Sequence, residues 1–199
     1  MIGNAIESDM KKYTHIISCL ALCVVASAAI AHDHFKQKYT VLQQEAIDLY
    51  IAGKTDQAHE KADAIFRLVD FAAAQGDAWG QYRLGVSYKD GSLGNQVNYA
   101  KAADYFALAA KQGYPNAQRD LGALYETGQG VLQDYVIAHM WYNIATSNGA
   151  EKAGRMRDGL AMGLNENQLL EARELASQCK TSGYTDCTKK SKSILDFFR

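Results

Sequence analysis

Few side chains here stand at spacings that chemistry uses. His32-Asp33-His34 sets two imidazoles at i and i+2 around a carboxylate, a group that can take a transition metal when a free amine lies beside it. The flanking sequence is polar, so the segment is expected to be a solvated tail rather than a metal site. His59 falls on the polar side of its helix. His139, two residues from Trp141 in a packing helix, is expected to be a satisfied, partly buried imidazole rather than a base. The sequence holds no Gly-rich phosphate loop in strand–helix context, no H-E-x-x-H, no G-x-S-x-G and no C-x-x-C. The expectation is a protein that is not an enzyme, with no catalytic residue, no cofactor and no metal.

Of the 4 cysteines, Cys179 and Cys187 lie near the end of the chain. Two thiols with no histidine nearby fall short of the four ligands of a structural zinc site. An oxidising compartment favours a disulfide between them, closing a loop of about nine residues. The alternative is two free thiols in a tail. The bridge would be structural.

The compartment is read from the other end. Lys11-Lys12 precedes an apolar run from Ile16 to Ala31, broken only by Ser18 and Ser27 and closing on Ala29-Ile30-Ala31. A basic segment, a short apolar core and an A-x-A end are the parts of a secretory signal peptide. The run is shorter than the ~20 residues that span a bilayer, so cleavage after Ala31 is expected over an uncleaved anchor. Met10 is a possible true start. The expected setting is periplasmic or secreted, with no integral membrane segment after cleavage. Net charge is −1, and the segment takes Lys11, Lys12, Glu7 and Asp9 with it, leaving the balance unchanged. No basic stripe remains for nucleic acid.

The elements are repeats. Gly76, Gln81, Leu84, Gly85, Tyr88 and Gly91 return as Gly113, Gln118, Leu121, Gly122, Tyr125 and Gly128, each pair 37 positions apart. A fixed period of that length marks stacked units that cannot bury their apolar faces singly. The first full unit pairs a helix over about 78–89 with one over about 98–111, the second about 115–126 with 134–147. The step from Gly113 to Gly149 is 36, so the first unit's turn carries one extra residue. Gly91/Gly94 and Gly128/Gly130 fill these turns, while Gly76, Gly113 and Gly149 end the second helices. A third unit begins at Gly149, and Asn165-Glu166-Asn167-Gln168 reads as a capping box for the last helix. Upstream, residues 32–38 read as a polar lead-in to a helix over 39–51, and Thr55 as the N-cap of the next. The organisation expected is a signal peptide over 1–31, an atypical helical pair over 32–75 capping the stack, repeats with a closing helix over 76–180, and a tail over 181–199. Ile194-Leu195-Asp196-Phe197-Phe198 in that tail is an apolar cluster able to dock on the array or on a partner.

The run from Gln118 through Leu121, Gly122, Tyr125, Gly128, Gly130, Val131, Asp134, Ala138, Trp141 and Tyr142 to Ala145 resembles the Sel-one-like repeat, an α/α relative of the tetratricopeptide repeat. Residues 76–112 are similar with a looser turn, and Arg157–Ala176 is similar to the closing helix of bacterial members. The resemblance implies an all-α, right-handed α/α solenoid in which the motif residues pack neighbouring layers. Secreted relatives linked to β-lactam binding resemble one another in a cysteine pair per repeat, which these repeats lack.

Positions left free by the motif are where binding is sought: Trp79, Tyr82, Arg83, Ser87, Asn116, Arg119, Asp120 and Glu126. Trp79 stands out because aromatics at unconstrained positions are typical of hot spots; its alternative is packing against the preceding helical pair. The expected function is an exported scaffold that binds a protein partner through its solenoid surface. The resemblance implies roles in envelope assembly, host interaction or immunity against a secreted toxin. The alternative, motivated by location alone, is a hydrolase or small-ligand-binding protein acting on cell-wall material.

Overall fold

In the computed structural model, residues 31–185 and residue 187 are described. Among them the chain is helical, with α1 (31–51), α2 (Thr55–Ala74), α3 (Ala78–Asp90), α4 (Tyr99–Lys111), α5 (Pro115–Thr127), α6 (Tyr135–Ser147), α7 (Glu151–Ala161) and α8 (Glu166–Thr181), and no strand. The signal segment over 1–30 and the cluster Ile194–Phe198 lie outside the described residues. Consecutive helices from α2 through α7 pack on one another, and α8 returns to lie against α6. The result is a solenoid of helical pairs.

Local chemistry explains the boundaries. Asp77, Asn98 and Asp134 turn extended backbone into α3, α4 and α6, their carboxylate or amide oxygens accepting from first-turn amides. Asn165 and Gln168 form the expected reciprocal box at α8. Pro115 opens α5 at the position where a missing N–H costs nothing. The turn between α3 and α4 spans residues 91–98 and that between α5 and α6 spans 128–134, so the extra residue lies where the 37- and 36-residue steps put it. It is accommodated by Leu93 at φ 54, a left-handed conformation. Ser87 and Asn95 brace that turn: the Ser87 hydroxyl donates to the Ser92 carbonyl at 2.5 Å and accepts from the Asn95 amide at 2.9 Å.

Glycine sets how closely the pairs approach. A Cβ on Gly122 would stand 2.9 Å from the Tyr142 ring, and one on Gly85 2.6 Å from Phe106, the same contact one repeat earlier. Phe106 and Tyr142 are fully buried against those seams. Gln81 and Gln118, matched by the period, do something packing alone does not. The fully buried Gln118 donates to the Ala110 carbonyl at 3.1 Å, in the last turn of α4, and accepts from Asn148 at 2.9 Å. Gln81 accepts from Gln112 at 2.8 Å, and Gln112 also donates to the Gly76 carbonyl. Gln118 thus satisfies a carbonyl that the end of α4 leaves open, and Gln112, held by Gln81, does the same for the Gly76 carbonyl after α2.

Three expectations about the N-terminal pair are corrected. Residues 32–38 are helical and continue α1. Phe35 packs edge-on against Phe71 with ring centroids 6.0 Å apart, which anchors that turn. Thr55 is the first residue of α2, preceded by Lys54 with no side-chain cap. His32 is not a free solvated side chain: its Nδ1 lies 2.6 Å from Oδ2 of Asp77, whose other oxygen caps α3.

Cys179 and Cys187 are disulfide-bonded with Cα atoms 4.3 Å apart. The closed loop holds Tyr184 in a left-handed conformation, φ 65. Its ring lies against Gly113, and its hydroxyl meets the Asn148 amide at 3.0 Å.

Candidate protein-binding surface

Side chains on the first helices of successive pairs meet one another across the face made by α1, α3 and α5. Tyr39 of α1 contacts Trp79 edge-on at 5.2 Å and takes a hydrogen bond from Arg83 of α3. The Arg83 guanidinium lies 4.5 Å above the Tyr39 ring, a cation–π geometry. One repeat on, Tyr82 donates to Asp120 of α5 at 3.3 Å, Arg119 pairs with Asp120 at 2.7 Å, and Lys89 lies 3.6 Å from the same carboxylate. Tyr82 and Tyr114 bring their rings to 5.1 Å. Further along, the Tyr142 hydroxyl donates to Glu126 at 2.5 Å.

The electrostatics follow from partial burial. Burial pushes the Tyr82 phenol up to about 12, with Asp120 adding to the shift, so it stays a donor. Tyr142 is likewise raised by burial and by its bond to Glu126. Burial disfavours the charge on Arg119, but Asp120 outweighs it and raises its pKa. Arg83 has no such carboxylate, and burial lowers its pKa despite help from Asp90 and Tyr114.

The eight positions singled out by sequence divide. Tyr82, Arg83, Arg119 and Asp120 come together on this face, with Asn116 accepting from Arg119 at 3.3 Å. Glu126 is held by Tyr142. Trp79 is 6 % exposed and packs on Tyr39, as its alternative had it, and Ser87 is wholly buried in the turn brace. These two leave the surface, and Asp120, 7 % exposed, lies beneath it as the partner of Tyr82, Arg119 and Lys89. Sequence reasoning missed Tyr39, Lys89 and Tyr114. Tyr114 lay just before Pro115 and Tyr39 in the segment without repeat signature, so no period flagged them. His139 is 4 % exposed and its Nδ1 finds no partner among the described residues, so the expectation of a satisfied imidazole is corrected. Burial, with Arg157 and Arg173, lowers its pKa and keeps it neutral. Among the described residues no group of three or more His, Cys, Asp or Glu could hold a metal, and no helix is long and apolar enough to cross a membrane.

A stack of helical pairs with a polar and aromatic face is the class called α/α solenoids. The Sel1 repeat family model matches residues 80–114 and 115–149, so the chain carries two Sel1 repeats. It is 25% identical over 119 residues to the ERAD-associated E3 ubiquitin-protein ligase component HRD3A of Arabidopsis thaliana, covering 50% of this chain and 18% of that protein. Among solved structures it is similar to a protective antigen of uropathogenic Escherichia coli displaying an SLR fold, at 28% identity and TM-score 0.57 over 78% of this chain and 34% of that one. A Sel1 repeat protein from Oxalobacter formigenes is 24% identical, at TM-score 0.46 over 70% and 77% of the two chains. The chain thus spans less than a fifth of the curated relative and about a third of the antigen.

Proposed function

We propose that this Sel1-repeat scaffold is exported and binds one protein partner through the α1–α3–α5 face. The carrying observation is the clustering of half-buried Tyr82, Arg83 and Arg119 on first helices with Tyr114 at the start of α5, backed by the buried Tyr39 of α1. Tyr and Arg combine large contact area with directional hydrogen bonding, and they are over-represented where binding energy concentrates. Export is supported by the signal-like segment ending at Ala31 and by the Cys179–Cys187 disulfide, which persists in an oxidising compartment. The likeness to a protective antigen favours a host-facing role over envelope assembly or toxin immunity.

The test is affinity capture from envelope and host-cell extracts with the purified chain and with a Tyr82→Ala/Arg119→Ala variant of unchanged helicity. A protein retained by the parent and lost by the variant supports the proposal. Equal retention by both would move the contact off this face.

A further inference from the structure

Arg83 is the one cation of the α1–α3–α5 cluster with no carboxylate. Arg119 and Lys89 share Asp120. Asp90, the carboxylate that acts on Arg83 from farther off, accepts from the Ser92 amide at 2.9 Å and makes no ion pair with it. Of the five N–H donors of a guanidinium, one finds a partner among the described residues, the Tyr39 hydroxyl. Nε is unpartnered among them but buried out of a ligand's reach, so the terminal nitrogens of this half-buried side chain are the ones left for an acceptor. Desolvating a guanidinium without an anion is unfavourable. Here the Tyr39 ring beneath it and its bond to the Tyr39 hydroxyl hold the group in place. Asp77 lies near Tyr114 and is held by His32 and an α3 amide, so the charge that no direct ion pair answers is that of Arg83 itself, in a chain whose net charge is −1. Such a lone charge without a basic stripe suits a single carboxylate better than a polyphosphate backbone.

Resting on the binding face proposed above, we infer that Arg83, backed by Tyr39, is the receptor for an Asp or Glu side chain in an acidic, aromatic-compatible segment of the protein partner. A planar fork takes a carboxylate through paired hydrogen bonds, and the flanking phenols of Tyr82 and Tyr114 offer apolar walls to residues beside it.

A phage-displayed random peptide library panned on the full chain tests this. Selected peptides are expected to be enriched several-fold in Asp or Glu over the input. Synthetic peptides made from them should lose at least tenfold in affinity when that acid becomes Asn or Gln. Arg83→Met should bind the acidic peptide as weakly as the parent binds its amide form, and Arg83→Lys should retain part of the preference. If Arg83→Met fails to fold, Arg83→Gln takes its place, and an acid-to-amide loss in that variant as large as in the parent overturns the inference. Peptides that bind this face, as shown by loss on Tyr82→Ala, but carry no acid preference overturn the inference and leave the binding face standing. Selection of no peptide sensitive to Tyr82→Ala overturns both.

Discussion

At Gly122 the absence of a side chain is the functional group. The Tyr142 ring occupies the space a Cβ would need, and its hydroxyl reaches Glu126 only because α5 and α6 approach so closely. Gly122→Leu is therefore expected to destabilise the chain by about 1–3 kcal/mol or more. A thermal melt lowered by several degrees would bear this out; an unchanged melt would place Gly122 off the seam. His139 gives a second test. Its lowered pKa means the unfolded state binds a proton that the native state refuses. The neutral ring's contribution is thus intact above the unfolded value near 6.5 and is lost as pH falls below it. Arg157 and Arg173 face it and oppose its charging, while Asp158 favours it. His139→Phe should accordingly lose less stability than the parent between about pH 6.5 and 4.5, read as the difference between their denaturation midpoints. Parallel curves would show that His139 does not titrate differently on unfolding. The sequence placed His139 in a packing helix but suggested a satisfied ring, and its unpaired Nδ1 escaped that reading because partners depend on which side chains α7 and α8 bring past it.

Among elements, the C-terminal loop is where covalent and packing effects meet. The disulfide ties Tyr184 over the ends of α4 and α6, capping a row of joints that Gln112, Gln118 and Asn148 otherwise hold by hydrogen bonds. Closing a loop of about nine residues removes roughly 2–3 kcal/mol of unfolded-state entropy in the loop-closure model. Cys187→Ser is expected to speed amide exchange over 182–185, a local loosening, while the repeats over 78–147 keep their exchange rates. Faster exchange throughout would mean that the loop holds the whole stack together. Intervals of 37 and 36 residues made α3–α6 legible to within a residue or so, because glycines, caps and aromatics must recur where helices must stack. The N-terminal pair was less legible for the same reason in reverse. His32 and Phe35 look like solvated residues until Asp77 and Phe71, each more than thirty residues away, are brought beside them.

For the whole molecule, stacking explains why the proposed binding face was half visible. Motif positions are consumed by neighbouring layers, so what varies within α3 and α5 is what remains for a partner. That logic singled out Tyr82, Arg83, Arg119 and Asp120, which the fold brings together, but it could not tell that Trp79 is covered by Tyr39, since α1 carries no repeat signature. Nor could it tell that the Ser87 hydroxyl is spent on the lengthened turn. Buried interface aromatics and arginines carry most of the energy of such contacts, so Tyr82→Ala should weaken a captured partner by tenfold or more while leaving the helicity of the chain unchanged. Calorimetric titration would read this, and an undiminished affinity would remove Tyr82 from the contact. The most direct test of the central claim is hydroxyl-radical footprinting of the chain alone and bound to its captured partner. Protection of Tyr82 and Tyr114, with the exposed Phe71 of α2 and Leu108 of α4 modified as before, is the predicted pattern. Protection of Phe71 and Leu108 with Tyr82 and Tyr114 unchanged would contradict it.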